Sequence, residues 1–223
     1  MRKEALRKAQ RMTLTLMAII AVAIAYLIWR NLGETQRASV ATTVTKPKKV
    51  GIVAGHWGSD SGAVCPDGLT EVEINLKVAR RVVELLRRQG YEVELLEEFS
   101  PKLQGYRADA FISIHTDSCN VPGASGFKVA RVLGSAIPEE DDRLVECLRE
   151  EYARITGLTF HEHSITYDMR EYHAFLEIDP QTPGAIIETG FMSGDRELLT
   201  RRPDVVAWGI ASGIIRFLKS DRP

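Results

Sequence analysis

Cysteine is scarce in this sequence, and the few cysteines follow no metal-binding pattern. Only three occur in 223 residues, at Cys65, Cys119 and Cys147. So small and odd a set excludes a disulfide-rich scaffold, and no Cys-x-x-Cys pair is present to build a structural zinc site. A bond between Cys65 and Cys119 is left open, because the sequence does not give the distance between them.

Positive charge is scarce in most of the chain. Residues 51–223 carry nineteen Lys and Arg against twenty-eight acidic residues, a balance of −9, whereas residues 1–50 carry ten against two. Nucleic-acid affinity comes mainly from Lys and Arg that neutralise phosphates, and no RNA or DNA motif is present. Nucleic acid is therefore excluded as an expected partner. No internal repeat is visible.

One long run without charge stands near the N-terminus. Residues 12–29 read MTLTLMAIIAVAIAYLIW, and these 18 residues fall within the range of a membrane-spanning helix. Basic residues precede the run, so the positive-inside rule predicts a basic cytoplasmic stub over 1–11 and a transmembrane anchor over 12–29. A polar linker over 30–47 and a folded domain over 48–220 follow. The alternative is a cleaved signal peptide, because residues 23–25 resemble a cleavage site.

Both alternatives place the folded domain outside the cytoplasm. With the anchor uncleaved, the protein is expected at the cell membrane as a single-pass protein with a cytoplasmic N-terminus.

The folded domain alternates short apolar runs with amphipathic segments. The apolar runs predict strands, and apolar residues at helical spacing predict helices. The predicted strands cover residues 50–54, 91–96, 110–114, 126–133 and 185–187, and the predicted helices cover 72–88, 138–155 and 203–218. Such alternation indicates an α/β fold. We expect a three-layer αβα sandwich around a mixed, mostly parallel, twisted sheet, preceded by one transmembrane helix.

Three of the predicted strands end at a residue able to bind metal or move a proton. His56, His115 and Glu188 follow the strands at 50–54, 110–114 and 185–187, and Glu71 stands where the first helix begins. Ligands gather beyond the carboxyl ends of strands in open α/β sheets. Two histidines and a carboxylate form a catalytic zinc set, and a second carboxylate can serve as general base. These four residues together indicate a metal-dependent hydrolase.

Each of these residues also has a purely structural interpretation. His56 fits a turn histidine between glycines. Glu71 fits an acid at a helix N-terminus, favoured by the helix dipole, and Glu73 competes with it in the same turn. The prediction therefore depends on the conjunction of the four residues.

Other polar residues are weaker candidates. His161 and His163 would share a face if they lay on a strand, but solvated surface is the favoured interpretation. His173 is expected to be packed or exposed. Thr116 and Asp117 are expected to form hydrogen bonds to the metal ligands.

Four motifs carry a family resemblance. They read GHWG at 55–58, GLTE at 68–71, SIHTD at 113–117 and ETGFMS at 188–193. In their order and spacing, the chain from about Lys48 to Leu218 resembles the zinc-dependent N-acetylmuramoyl-L-alanine amidases of the Amidase_3 type.

The resemblance implies a role for each of the four residues. His56, Glu71 and His115 would hold Zn²⁺, and Glu188 would be the catalytic carboxylate. Several features depart from the family pattern: Val53-Ala54 replace an Asp-Pro pair, Trp57 replaces a glycine, the segment 176–184 lacks an arginine, and the connection between the strands at 91–96 and 110–114 is short.

The implied activity is zinc-dependent hydrolysis of the amide bond between muramic acid and L-alanine in peptidoglycan. Peptidoglycan is then the expected substrate, the membrane is contacted through the N-terminal helix, and no cofactor beyond the metal is expected. Two alternatives stay open. One is another cell-envelope zinc peptidase acting on stem peptides, and the other is a catalytically silent peptidoglycan-binding module.

Overall fold

The computed structural model describes residues 12, 14, 16–30 and 46–220. The chain divides into two compact units, Met1–Lys46 and Pro47–Pro223. The second unit begins within one residue of the domain start predicted from the sequence. The predicted basic stub at 1–11 and residues 31–45 of the predicted linker lie outside the described residues.

The first unit contains helix α1, which is described without interruption over residues 16–30. Among residues 12, 14, 16–30 and 46–220, no helix is both long enough and apolar enough to cross a membrane. The predicted transmembrane anchor over 12–29 is therefore not supported.

The second unit is built on a five-stranded sheet. The strands are β1 (Lys49–Ala54), β2 (Glu92–Leu96), β3 (Ala110–Asp117), β4 (Lys128–Ala130) and β5 (Gly184–Phe191). They lie in the order β2-β1-β3-β5-β4. The first four strands in this order are parallel, and β4 pairs antiparallel with β5. The prediction of an α/β fold with a mixed, mostly parallel sheet is confirmed.

Helices cover the two faces of the sheet unequally. They are α2 (Glu71–Arg88), α3 (Pro138–Thr156), α4 (Tyr167–Arg170), α5 (Ala174–Glu177), α6 (Arg196–Arg201) and α7 (Pro203–Lys219). The larger core packs α2, α3 and α7 against strand residues such as Ile52 and Ile112. Alternate strand residues such as Val53 and Phe111 point to the other face, into a smaller core with Met169 and Phe175. The second helical layer is therefore thin.

The strand ends differ from the prediction in a way that matters for the site. Strands β3 and β5 continue past the predicted ends, to Asp117 and Phe191. Polar residues end the apolar runs there, but the backbones still pair, with His115 opposite Glu188. Strand β4 is shorter than predicted. Gly126 precedes it with a φ of 124°, and its amide donates to Asp195 instead of extending the sheet.

Candidate metal centre

His56 occupies a strained turn directly after β1. Its φ is 67°, and it is the sole non-glycine residue with positive φ among the described residues. Such a conformation costs about 1–3 kcal/mol and persists where the surroundings enforce it. Here the backbone N–H of His56 donates to Glu98 Oε2 at 2.8 Å, and its Nδ1 lies 2.7 Å from Asp60 Oδ1. These contacts direct Nε2 toward Glu71.

Glu71 is the first residue of α2, and its buried carboxylate lies between two imidazoles. Its Oε1 is 3.2 Å from His56 Nε2 and 3.2 Å from His115 Nδ1. Its Oε2 accepts the backbone N–H of Ala63 at 3.1 Å, and Asn75 Nδ2 donates to its Oε1 at 3.2 Å. The helix-start interpretation and the ligand interpretation of Glu71 are therefore compatible, because the start of α2 aims the carboxylate.

Two glycines leave room for these side chains. A Cβ on Gly55 would lie 2.5 Å from His115 Cε1, and one on Gly62 would lie 2.7 Å from Glu71 Oε2 and from His56 Cδ2. Real Cβ atoms do not approach other atoms so closely, so a larger residue at either position would displace a predicted ligand.

The three predicted ligands meet in one place. One ligand atom from each of His56, Glu71 and His115 lies within 4.8 Å of the others. Two imidazole nitrogens and one carboxylate oxygen suit Zn²⁺. Burial raises the pKa of Glu71, but hydrogen bonds with His115 and His56 outweigh this and hold that pKa well below its usual value. The hydrogen bond with Glu71 raises the pKa of His56 to about 9. The carboxylate and the two imidazoles that could bind a metal therefore lie where a positive charge is stabilised.

Further carboxylates surround the two histidines. Asp60 contacts the outer nitrogen of His56, Glu98 Oε2 lies 3.6 Å from His115 Nε2, and Glu188 is paired with His115 across the sheet. With Glu71, four carboxylates stand around two imidazoles. A divalent cation would offset this excess of negative charge, so the residues present fit a metal ion.

Glu188 lies in the middle of β5, beside the predicted ligands. It is opposite His115 on β3 and opposite Lys128 on β4, so the three residues form a row across the sheet. Its Oε2 is enclosed and has no hydrogen-bond partner within the described part of the chain. Burial raises the pKa of Glu188 to about 7, with His115 opposing the rise and Asp117 adding to it. A carboxyl with such a pKa can both accept and donate a proton near neutral pH.

Thr116 supports the centre as predicted, but Asp117 does not. The backbone N–H of Thr116 donates to Glu71 Oε1 at 3.2 Å, and its hydroxyl donates to Asn75 Oδ1 at 2.8 Å. Asp117 Oδ1 instead accepts from Lys128 Nζ at 2.8 Å. The prediction of a hydrogen bond from Asp117 to a ligand is therefore wrong, because the buried Lys128 takes its carboxylate.

The remaining histidines lie apart from the three-residue cluster. His161 precedes a 3₁₀ turn over Glu162–Ser164, and His163 lies within that turn and is exposed, so neither is on a strand. His173 is partly buried, stacks on Phe99 with ring centroids 4.4 Å apart, and lies 3.1 Å from Glu98 Oε1.

Sequence reasoning missed Glu98. This residue stands two positions after the end of β2, and its side chain is only 5% exposed. The signal was present, because a carboxylate just beyond a strand end is the same feature that identified the other site residues. It was overlooked because Glu98 follows another acid, Glu97, in a segment that looks like solvated surface.

Cys65 and Cys119 form a disulfide, with their Cα atoms 5.8 Å apart. The bond joins the loop between His56 and Glu71 to the loop that follows β3. Cys147 is free and buried. Trp57, the departure from the family pattern in the first loop, is partly buried and packs against the larger core.

A mostly parallel α/β sheet that gathers two histidines and two glutamates on one side suits a hydrolase, and three of these residues could hold a metal ion. The N-acetylmuramoyl-L-alanine amidase family Amidase_3 matches residues 50–216. The chain therefore belongs to the Amidase_3 family.

The chain is also similar to individual proteins. The chain is 28% identical over 209 residues to the Bacillus subtilis protein YqiI, covering 83% of this chain and 97% of YqiI. It is 29% identical over 201 residues to the germination-specific N-acetylmuramoyl-L-alanine amidase of Bacillus subtilis, covering 76% of this chain and 80% of that amidase. The fold is similar to that of the CwlD amidase of Clostridioides difficile, solved in complex with the GerS lipoprotein. That match has a TM-score of 0.62 and 24% identity, and covers 78% of this chain and 100% of CwlD.

Proposed function

We propose that this chain is a zinc-dependent N-acetylmuramoyl-L-alanine amidase, which hydrolyses the amide bond between muramic acid and L-alanine in peptidoglycan. The observation that carries the proposal is the meeting of His56 Nε2, Glu71 Oε1 and His115 Nδ1 beside the enclosed carboxyl of Glu188. Membership of the Amidase_3 family supports the substrate.

The metal would be held by His56, Glu71 and His115. When bound, Zn²⁺ supplies a Lewis acid that activates water and polarises the amide carbonyl. The chain's own contribution is to fix the donors. Glu71 is anchored by the backbone of Ala63 and the side chain of Asn75, and the His56 turn is anchored by Glu98.

Glu188 would move the proton. Its Oε2 has no hydrogen-bond partner among the described residues, so no hydrogen bond within that part of the chain would compete with proton transfer from the attacking water to this carboxyl. The same carboxyl then donates the proton to the nitrogen of L-alanine as the amide bond breaks. A pKa of about 7 lets Glu188 perform both steps at neutral pH.

We further propose that the folded domain works outside the cytoplasm, where its substrate lies. The disulfide between Cys65 and Cys119 supports this location, because disulfides persist in oxidising compartments. Attachment to the membrane through residues 12–29 stays a prediction from the sequence, without support from the described helix. Fusing alkaline phosphatase to the C-terminus tests the location, since that enzyme is active only after export.

Digestion of purified sacculi tests the activity. The full chain is incubated with sacculi in the presence of zinc, of a chelator, and of the chelator followed by excess zinc. Release of intact stem peptides that begin with L-alanine, lost with the chelator and restored by zinc, is the expected result. Free D-amino acids or shortened peptides would indicate a stem-peptide peptidase. Binding to sacculi without any release, equal in wild type and Glu188→Gln, would indicate a silent binding module.

A further inference from the structure

We infer that Glu98 is a positioning residue that aims both histidines of the metal centre. The inference rests on the proposed zinc site. It assigns to one buried carboxylate two tasks, namely holding the outer nitrogen of the His115 ring and fixing the turn that presents His56.

The ring of His115 lies between two carboxylates. Its Nδ1 is 3.2 Å from Glu71 Oε1, and its Nε2 is 3.6 Å from Glu98 Oε2. Nε2 is buried and has no hydrogen-bond partner within the described residues. A histidine that binds metal through Nδ1 carries its proton on Nε2, and that proton needs an acceptor. Glu98 Oε2 is the carboxylate oxygen that faces it.

His56, like His115, has a carboxylate facing each of its two ring nitrogens. The repeated arrangement supports a common role for these carboxylates. The inner nitrogen of His56, Nε2, faces Glu71 Oε1 at 3.2 Å, and its outer nitrogen, Nδ1, lies 2.7 Å from Asp60 Oδ1. Each imidazole thus has Glu71 on one side and a carboxylate of its own on the other. Carboxylates in this position fix the tautomer and the orientation of metal-binding histidines.

Glu98 also holds the backbone of the His56 turn. Its Oε2 accepts the His56 N–H at 2.8 Å, and its own backbone N–H donates to Trp57 O at 2.9 Å. These two bonds bracket the residue with a φ of 67°. Losing the side-chain bond would free a strained turn to relax, and the Nε2 of His56 would move with it.

Glu98 is held in place from its other side. Its Oε1 accepts the hydroxyl of Tyr172 at 2.9 Å and lies 3.1 Å from His173 Nε2, while Tyr172 accepts a hydrogen bond from Ser113 at 2.9 Å. Among the described residues, no Lys or Arg lies within 4.0 Å of this carboxylate. Tyr172 and His173 thus hold one oxygen of this buried carboxylate, and the other oxygen faces the two predicted histidine ligands.

The test is zinc affinity, measured on the metal-free full chain by competition with a chromophoric chelator. Glu98→Gln keeps the size of the side chain and removes its charge. We expect its zinc affinity to fall about tenfold to a hundredfold. Glu97→Gln makes the same change at the exposed neighbour, and its affinity should stay within about twofold of wild type.

Two results would overturn the inference. The first is an affinity of Glu98→Gln equal to that of Glu97→Gln. The second comes from histidine ¹⁵N NMR on zinc-loaded wild type, which decides the matter even where Glu98→Gln fails to fold. The expected signature is a proton on His115 Nε2 with Nδ1 bound to the metal, and the opposite tautomer contradicts the inference. If wild type binds no zinc, the proposed metal site itself is refuted. If wild type binds zinc and Glu98→Gln binds it as well as Glu97→Gln does, only the inference about Glu98 is refuted.

Discussion

At the scale of single residues, Glu188 and the metal ligands have separable roles. Glu188→Gln removes the proton acceptor without removing a ligand. We expect the release of stem peptides to fall by about 10²–10⁴-fold, because proton transfer by a placed side chain contributes a factor of this size. Zinc affinity should be unchanged. The two quantities are measured by sacculus digestion and by chelator competition.

His56→Ala is the matched comparison, because it removes one of the three predicted ligands. Zinc affinity and peptide release should then both be lost. Wild-type release by Glu188→Gln would show that another group moves the proton.

Gly55 gives a second prediction at this scale, because a side chain at this position would meet the ring of His115. In Gly55→Ala the new Cβ would overlap the His115 ring at 2.5 Å, so the ring or the turn has to move. We expect zinc affinity to fall at least about tenfold, comparable to the loss of an orienting contact. The control is Gly68→Ala, which lies in the same loop with a φ of 88° and no atom within 4 Å of the added Cβ.

Gly68→Ala should lower the melting temperature through backbone strain while zinc affinity stays at the wild-type level. Equal zinc affinities in the two alanine variants would contradict the argument about the space around His115.

The sequence predicts much of the centre at this scale, for a physical reason. Parallel strands bring their carboxyl ends to one edge, so His56, His115 and Glu188 could be expected together although they are far apart in sequence. The burial of Glu98 could not be predicted from the sequence in the same way. Its burial depends on Tyr172 and His173, which arrive from the thin helical layer about 75 residues later.

At the scale of elements, Asp141 connects α3 to the sheet. A run of four acids at 139–142 lies in the first turns of α3, and Asp141 within it is only 3% exposed. Its Oδ1 accepts the backbone N–H of Gly184, the first residue of β5, at 2.9 Å, and its Oδ2 accepts from the hydroxyl of Ser135. Burial raises the pKa of Asp141, against the opposing effect of these hydrogen bonds.

This shift predicts a pH dependence of stability. Because the folded-state pKa of Asp141 is raised, its protonated form favours the folded chain. That contribution is fully present below the unfolded-state pKa of about 4, and it is lost as pH rises through the folded-state pKa. Asp141→Asn keeps an oxygen for the Gly184 N–H and cannot ionise. Its unfolding free energy relative to wild type should therefore increase from pH 4 to pH 7.

Urea unfolding at several pH values measures this difference. Glu139→Gln changes an exposed acid in the same helical turn and controls for the loss of one charge. Stability profiles of wild type and Asp141→Asn that run parallel across this pH range would refute the assigned role of Asp141.

The long helices could be predicted from the sequence, whereas the short helices and the ends of two strands could not. Helices α2, α3 and α7 are 17–19 residues long, which gives their apolar spacing several turns to show. Helices α4, α5 and α6 have only 4–6 residues, too few to show a period. The ends of β3 and β5 escaped prediction because polar side chains there serve the site while the backbones continue to pair.

At the scale of the whole molecule, the sequence makes one prediction about the domain start and another about the N-terminus. The shift from polar linker to apolar strand predicted a domain start at residue 48, and the compact unit begins at Pro47. The uncharged run at 12–29 predicted a transmembrane anchor, but among the described residues no helix is both long enough and apolar enough to cross a membrane.

The disulfide gives a prediction for the whole folded domain. Cys65 and Cys119 are 54 residues apart in the sequence, and a loop of this size loses much of its freedom in the unfolded chain when it is closed. Its removal should cost about 2–4 kcal/mol of unfolding free energy. The comparison is urea unfolding of wild type and of the Cys65→Ser/Cys119→Ser double variant, with Cys147→Ala as the control for losing a thiol. Equal unfolding free energies of the double variant and wild type would contradict the predicted stabilisation by the disulfide.

The same bond connects stability to location. It joins the loop between His56 and Glu71 to the loop after β3, so it links the chain segments that follow His56 and His115. A chain kept in a reducing compartment would lack this link. We therefore expect wild type treated with a reductant to unfold at the same urea concentration as the double variant, and the double variant itself to be insensitive to the reductant. A stability that depends on oxidation in this way suits an enzyme whose substrate lies outside the cytoplasm.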